Sequence, residues 1–367
     1  MFSNPFPNAF GLDIGDLSIK LVQLRNVSHR FRGASYELVT ARSINIPPGL
    51  VVNGELEQPE QVRHYIQKLL QGKKGKVKPI KSPWVVAGLP ETQGFIKLIT
   101  IPKNIEEIIN DDIIIESKKH IPFTEEDKYY LDWQILPSSP KTDSTHVLIS
   151  AIPKFISDSY TYLFESLGLG VVSLEIEALS IARAMVTAQK EYKGEARAIL
   201  DIGSTRSSLI VYDGNTIQFS TSLPYSGEVL TTAIEQKMKV SHEEAEALKR
   251  KYGLAYKKQK KVWGTLMEQT KTFADTIRKS IHFYYSHFPD TNQITHITMC
   301  GSGSNMKHLE QILSLELKIE CRPGKPWKNL HSTKDLEIPY DESIGYATAI
   351  GLALRAADNP FFRHDSI

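Results

Sequence analysis

Two short stretches of the chain share an aspartate, an isoleucine and a glycine at the end of an apolar run. They read GLDIGDLSIK at residues 11–20 and LDIGSTRSS at residues 200–208. A glycine after a buried strand lets the backbone approach a ligand closely, and the N–H groups of such a turn can donate to an anion. Hydroxyl and ammonium donors follow in both stretches: Ser18, Lys20, Ser204 and Thr205. The two stretches therefore predict two phosphate-binding turns.

The aspartate of each turn, Asp13 or Asp201, would repel a phosphate directly. A carboxylate is useful there if it holds a hydrated Mg²⁺ that neutralises the phosphates, which is how proteins commonly bind this ion. We therefore expect Asp13 and Asp201 to share a Mg²⁺ site. The alternative for either turn alone is a tight hairpin whose aspartate accepts hydrogen bonds from nearby backbone N–H groups.

A third glycine turn, GSGS at residues 301–304, stands between a predicted strand and a predicted helix. It matches neither the dinucleotide-binding pattern nor the P-loop pattern. A flat turn with small side chains can lie against an adenine or a ribose. The order of the three turns along the chain is more specific than any one of them.

Composition narrows the class of protein. The chain has 367 residues, enough for two domains, and its formal net charge is only +2, so nothing global indicates nucleic-acid binding. Its two cysteines, Cys300 and Cys321, have neither the spacing of a metal site nor that of a disulfide framework, which favours a reducing cytoplasm. We expect neither a signal peptide nor a membrane-spanning helix, because no apolar run approaches about 18 residues.

The elements that would position these turns are repeated. Residues 8–46 read as three strands, and residues 196–224 read the same way, with Asp213-Gly214-Asn215 as a hairpin turn. This pattern predicts an internal duplication in an α/β protein of two lobes. Helices are predicted at residues 58–71, 105–120, 154–167, 178–189, from about 226, and at 241–253, 265–288, 305–316 and 342–357.

The order of the three turns resembles that of the actin-like ATPase superfamily, in which two phosphate loops and an adenosine loop close over a nucleotide. Within it the chain resembles the PilM family of type IV pilus assembly proteins, over residues 8–357. GLDIGDLSIKLVQL is similar to that family's opening pattern GIDIGSSSVKLVEL. The most family-specific blocks are the insert, FIKLITIP with IEEIINDDIIIESKKHIPFTEEDKYYLDWQIL, and SHEEAEALKRKYG.

The resemblance implies an actin-like fold with a nucleotide cleft between two lobes. The first lobe would comprise residues 1–195, with an inserted subdomain at about 92–152. The second lobe would comprise residues 196–340, with an outer subdomain at about 228–275. Residues 341–367 would carry a C-terminal helix that returns to the first lobe.

The resemblance also implies a role for particular residues. Phosphate contacts would come from Gly15, Ser18 and nearby Lys20, and from Gly203, Ser204 and Thr205. Nucleoside contacts would come from Gly301, Gly303, Asn305 and Lys249. Glu177 stands where relatives place a water-orienting acid, although an acid that stabilises a helix N-terminus is an equal interpretation.

Three features depart from the family pattern. Asp16 replaces a hydroxyl residue, and its carboxylate would repel phosphate unless a cation or a reoriented side chain relieves the repulsion. GSGS replaces a GGGA-type loop, so Ser302 and Ser304 change the packing under the base. The usual basic N-terminal stretch is missing. We therefore expect ATP to bind with Mg²⁺, whereas efficient hydrolysis is in doubt.

The implied function is that of an assembly adaptor. It would bind ATP, dock on the N-terminal cytoplasmic tail of PilN and contact other inner-membrane pilus components. It would lie in the cytoplasm, and partners would hold it at the inner face of the membrane; homo-oligomerisation is left open. The insert would help to form the groove for PilN. Its helical isoleucine stripe, at Ile108, Ile109, Ile113 and Ile114, is interpreted as core, although it belongs to this partner-binding insert.

Three other functions are weighed against this one. The first is an actin-like filament or divisome protein similar to FtsA, although no amphipathic helix ends the chain. The second is the cytoplasmic actin-like component of a type II secretion system. The third is a sugar kinase or hydrolase on the same fold, which would need a substrate base other than Glu177.

Overall fold

The computed structural model describes residues 4–27, 35–72, 78–123, 125, 128–136, 143–187, 193–256, 259–288, 290–330 and 340–358. The last nine residues of the predicted C-terminal segment lie outside these ranges. The strands are β1 (Phe10–Ile14), β2 (Ser18–Asn26), β3 (Tyr36–Asn45), β4 (Val51–Val52), β5 (Glu55–Leu56), β6 (Trp84–Leu89), β7 (Phe95–Ile101), β8 (Tyr129–Ile135), β9 (Thr145–Pro153), β10 (Gly170–Ile176), β11 (Ala196–Ile202), β12 (Ser207–Asp213), β13 (Thr216–Leu223), β14 (Ile294–Cys300) and β15 (Glu320–Pro323).

The α-helices between and after these strands are shorter than the sequence predicts in several places. They are α1 (Pro59–Gln71), α2 (Asn110–Lys118), α3 (Lys154–Ser166), α4 (Glu177–Met185), α5 (Gly227–Met238), α6 (His242–Tyr252), α7 (Lys260–His287), α8 (Leu309–Leu317), α9 (Tyr340–Ser343) and α10 (Ala347–Ala357). No helix in the described ranges is both long and apolar enough to cross a bilayer.

Two sheets carry the same strand order, which confirms the predicted duplication. The first sheet runs β3-β2-β1-β6-β10, and the second contains the run β13-β12-β11-β14-β15. In both runs the first three strands in sequence are antiparallel neighbours. The next two strands add in parallel. The turns that follow β1 and β11 therefore occupy equivalent positions in the two sheets.

The repeated strands form where the sequence pattern places them. Every residue of β1 is buried, as expected for a strand covered on both faces. The hairpin between β12 and β13 turns at Gly214 and Asn215, whose φ angles are +54° and +63°. Two consecutive positive φ angles are typical of the tight turns that match the twist of antiparallel strands.

Two helices, α4 and α10, lie between the sheets. Their apolar side chains form one buried cluster with residues of β2 from the first sheet and of β11, β12 and β13 from the second. The helices approach each other closely, because a Cβ on Gly351 of α10 would overlap the carbonyl oxygen of Ser180 in α4. The two lobes therefore share a packed apolar base beneath the cleft.

The inserted segment extends the second sheet, although it falls in the first half of the chain. Its strands add in the order β7-β9-β8 beyond β13. The junction is a single paired position, Phe219 with Lys97. The insert has its own small core, which contains Ile99, Ile113 and Val147. Of the predicted isoleucine stripe, Ile113 is buried while Ile109 is 60 % exposed.

Several predicted helices begin or end differently in the structure. The predicted helix 105–120 begins only at Asn110, because the Asp112 carboxylate accepts the backbone N–H of Ile109 at 3.1 Å and caps the helix there. The predicted helix 305–316 begins at Leu309, because the residues before it form a 3₁₀ turn and His308 is left-handed. The predicted helix 342–357 is interrupted by a 3₁₀ turn at Ile344–Tyr346.

Candidate functional site

A cleft opens between the lobes where the three glycine turns meet. Twelve of the predicted site residues line it: Asp13, Gly15, Asp16, Ser18, Lys20, Glu177, Asp201, Gly203, Ser204, Thr205, Gly301 and Ser302. Four further residues that the sequence did not single out also line it: Leu17, Arg206, Gly345 and Thr348. Residues predicted from four separate stretches of the sequence therefore line one cleft.

The first two turns have the same backbone geometry. In the first, the N–H of Gly15 donates to the carbonyl of Ser18 at 3.0 Å. In the second, the N–H of Gly203 donates to the carbonyl of Arg206 at 2.9 Å. Asp13 and Asp201 are the next-to-last residues of equivalent strands, and Nζ of Lys20 lies 3.8 Å from the Asp13 carboxylate. The two turns thus face one cleft as a related pair.

The third turn closes against the second. Gly301 has a φ of +81°, and a Cβ there would lie 2.6 Å from Oδ1 of Asp201, so the position requires glycine. The Ser302 hydroxyl lies 3.4 Å from the hydroxyl of Ser204. The N–H of Gly301 donates to the carbonyl of Ile344 at 3.1 Å, which ties the turn to the segment before α10.

Asp16 is paired with an arginine. Arg206 Nη1 donates to Oδ1 of Asp16 at 2.8 Å. The backbone N–H groups of Asn53 and Gly54 donate to the same carboxylate, each at 3.1 Å. A guanidinium and two backbone N–H groups therefore compensate the negative charge of Asp16, which is expected from the sequence to repel phosphate.

Glu177 begins α4 and also contacts Arg206, whose Nη2 donates to Oε1 of Glu177 at 3.2 Å. Burial raises the pKa of Glu177 to about 7, although Arg206 opposes the shift. Burial likewise raises the pKa of Asp201 to about 6, while a hydrogen bond from the Cys300 thiol, at 3.5 Å, opposes it. Burial therefore disfavours the charged form of both carboxyl groups, while Arg206 and the Cys300 thiol oppose this effect.

A further acid, Glu91, lies beside the cleft and was not predicted. It accepts the N–H of Ala178 at 3.3 Å and a short hydrogen bond from the hydroxyl of Ser220. Burial raises its pKa to about 7. In the sequence, Glu91 lies in the stretch WVVAGLPET, which indicates only a strand and a turn. Its partners on α4 and β13 are distant in the chain, so its burial could be recognised only from the structure.

Three predicted nucleoside contacts, Lys249, Gly303 and Asn305, do not line the cleft formed by the described residues. Lys249 Nζ donates to the carbonyl of Gly227 and the hydroxyl of Thr231, each at 2.7 Å. It also pairs with Glu246 at 2.5 Å. Lys249 thus fastens α6 to the start of α5, which itself contacts the second turn. Its role toward a nucleoside stays a prediction.

The cleft suits a magnesium ion only if other ligands complete the site. Within the described ranges, no group of three or more His, Cys, Asp or Glu side chains is arranged to hold a metal. Asp13 and Asp201 nevertheless face the same space, and Mg²⁺ is commonly held by one or two carboxylates with waters and substrate phosphates. The donor set therefore fits Mg²⁺ that arrives with a phosphate chain.

Comparison with models of protein families identifies the family of this chain. A family model described as type IV pilus assembly protein PilM matches residues 11–357. The chain belongs to the PilM family. Membership associates it with type IV pilus assembly.

Solved structures confirm the actin-like fold. A PilM–PilN type IV pilus biogenesis complex contains a chain that is 24 % identical, with a TM-score of 0.79, and the match covers 96 % of this chain and 100 % of that one. The ethanolamine utilization protein EutJ from Carboxydothermus hydrogenoformans is 13 % identical, with a TM-score of 0.55 and coverage of 95 % and 90 %. MreB5 of Spiroplasma citri bound to AMPPNP is 11 % identical, with a TM-score of 0.55 and 94 % coverage of both chains.

Proposed function

We propose that this protein is a nucleotide-binding adaptor of type IV pilus assembly, which binds Mg-ATP in the cleft and docks on the cytoplasmic tail of PilN. One observation carries the proposal: a chain of the PilM family brings two equivalent aspartate–glycine turns and a third glycine turn to one cleft. The adaptor would work in the cytoplasm, at the inner face of the membrane through its partners.

The chemistry of the cleft supports a nucleotide. Backbone turns and hydroxyl groups suit phosphates, two carboxylates suit the accompanying Mg²⁺, and Lys20 adds a positive charge. Structures of MreB5, which share the fold, have been solved with AMPPNP and with ADP. When bound, Mg²⁺ would neutralise phosphate charge, while the turns of this chain hold and orient the phosphates.

Binding without efficient turnover fits the arrangement around Glu177. A residue that orients an attacking water needs an oxygen directed toward that water. Here Arg206 donates to Oε1 of Glu177, so this oxygen is directed to the guanidinium and only the second carboxylate oxygen is left for a water. We therefore infer that ATP serves mainly as a ligand that stabilises one arrangement of the lobes, which is the usual role of a ligand in a population shift.

The PilN tail has a candidate docking surface, which we name the aromatic patch: Tyr130, Phe155 and Tyr162. Tyr130 lies on β8 in the insert, and the other two lie seven residues apart on α3. Phe155 and Tyr162 are 59 % and 69 % exposed. The hydroxyl of Tyr130 donates to Asp158 of α3 at 3.0 Å, which joins the insert to this helix. Exposed aromatic side chains are frequent anchors for peptides.

A synthetic peptide of the N-terminal cytoplasmic segment of PilN tests this docking. We expect a Phe155→Ser, Tyr162→Ser variant to bind it at least tenfold more weakly in fluorescence anisotropy, because two apolar contacts are lost. The matched control is Leu315→Ser on α8, which changes a 75 % exposed residue in the second lobe. Equal peptide affinity in the wild type and the double variant would refute the patch as the docking site.

A further inference from the structure

Arg206 connects parts of the chain that the fold brings together from both lobes. It lies in the turn between β11 and β12, in the second sheet. One of its partners, Asp16, lies in the turn between β1 and β2 of the first sheet. The other, Glu177, begins α4 between the sheets. One guanidinium thus joins the two lobes and the helix that separates them.

The partner on the first lobe is held firmly. Both carboxylate oxygens of Asp16 accept backbone N–H groups, from Asn53 and Gly54. The carbonyl of Gly54 in turn accepts the hydroxyl of Tyr160 at 2.8 Å, and Tyr160 is fully buried in α3. Asp16 is therefore connected through these hydrogen bonds to α3 of the first lobe.

The ion pairs are largely shielded from water. The side chain of Arg206 is 15 % exposed, and those of Asp16 and Glu177 are 6 % and 13 % exposed. Removing one member of such a group leaves an uncompensated buried charge, which is strongly unfavourable. A planar guanidinium can also satisfy two carboxylates at once, which a lysine ammonium does less well.

Lys20, another cation that lines the cleft, does not connect the lobes as Arg206 does. Lys20 pairs with Asp13 in the same hairpin of the first sheet, so this contact does not join the lobes. Beneath the cleft, the lobes are joined by the apolar cluster around α4 and α10. At the turns themselves, Arg206 supplies a charged connection from one lobe to the other.

We propose that Arg206 is a latch that holds the two lobes together across the cleft, through Asp16 and Glu177. The cleft is then preformed by the protein's own charges, and loss of the latch separates the turns.

Hydrogen–deuterium exchange of the nucleotide-free protein tests the latch. In Arg206→Gln, we expect amides of peptides that cover residues 50–56 and 203–207 to exchange at least fivefold faster, because both sides of the cleft lose their connection. Small-angle scattering should show a larger radius of gyration. The matched control is Arg25→Gln, which removes an exposed pair with Glu37 inside the first sheet and should change neither peptide.

A double-mutant cycle gives the decisive outcome. If Asp16 and Arg206 act through one contact, Asp16→Asn together with Arg206→Gln should exchange no faster than the more affected single variant. Independent, multiplying effects would overturn the latch, as would faster exchange confined to residues 203–207. Arg206→Lys keeps the positive charge but lacks the planar guanidinium that contacts two carboxylates, so its hydrogen-exchange rate should be intermediate. This variant replaces Arg206→Gln in the test if the glutamine variant does not fold.

Discussion

Glu91 is an acid that the fold places in the interior, against the first turn of α4. Burial raises its pKa from 4.5 to about 7, so the folded protein keeps a proton that the unfolded chain releases between these values. Unfolding therefore becomes easier as the pH rises from about 4.5 to about 7, and this contribution is constant at higher pH.

Glu91→Gln should remove this pH dependence. We expect the variant to gain stability over the wild type at pH 8, by at most about 3 kcal/mol, because one pKa unit corresponds to about 1.4 kcal/mol. At pH 4 the gain should vanish, since the acid is then protonated in both states. Urea unfolding at the two pH values measures this, with the exposed Glu107→Gln as the control. The same gain at both pH values would contradict the account.

The site residues that the sequence predicts belong to local motifs, whereas the role of an unpredicted residue depends on a contact with a distant part of the chain. Asp13 and Asp201 belong to a short repeated motif, so their place at a strand end is readable from neighbouring residues. Arg206 belongs to the second motif too, but its importance depends on Asp16, which is 190 positions away. A contact between residues so far apart cannot be predicted from the local sequence pattern.

At the level of elements, α4 packs closely against α10 between the two sheets. Gly351→Ala places a methyl group where the carbonyl oxygen of Ser180 lies. We expect a loss of about 3 kcal/mol in the free energy of unfolding, measured with urea, because the helices must move apart.

Gly264→Ala is the matched control for this change. Gly264 lies in α7, and a Cβ there meets nothing within 4 Å. Alanine should raise stability by about 1 kcal/mol, because it is the better helix former. If Gly351→Ala is as harmless as Gly264→Ala, the helices are not in the close contact described here.

Strands and most helices were predictable because turn residues and apolar alternation mark them locally. The predicted helix 105–120 began too early because its composition suits a helix throughout, whereas the Asp112 cap fixes the start at Asn110. The attachment of the insert to the second sheet rests on one pairing, Phe219 with Lys97. Nothing in the local sequence of either strand specifies that pairing.

On the scale of the whole molecule, the duplication explains why the site lies where it does. Equivalent strand orders bring the turn after β1 and the turn after β11 to the same region, over the base formed by α4 and α10. The motif order was therefore sufficient to predict two facing turns. Gly345 and Thr348 join the cleft only because α10 packs between the sheets.

Thermal unfolding with and without Mg-ATP tests most directly whether these turns form a nucleotide site. At a concentration about 100 times the dissociation constant, ligand should stabilise the wild type by about 2.7 kcal/mol and raise its midpoint. The Asp13→Asn, Asp201→Asn variant should lose this rise, whereas the exposed control Asp275→Asn should keep it. No rise in the wild type, or an equal rise in the double variant, would contradict nucleotide binding by the two turns.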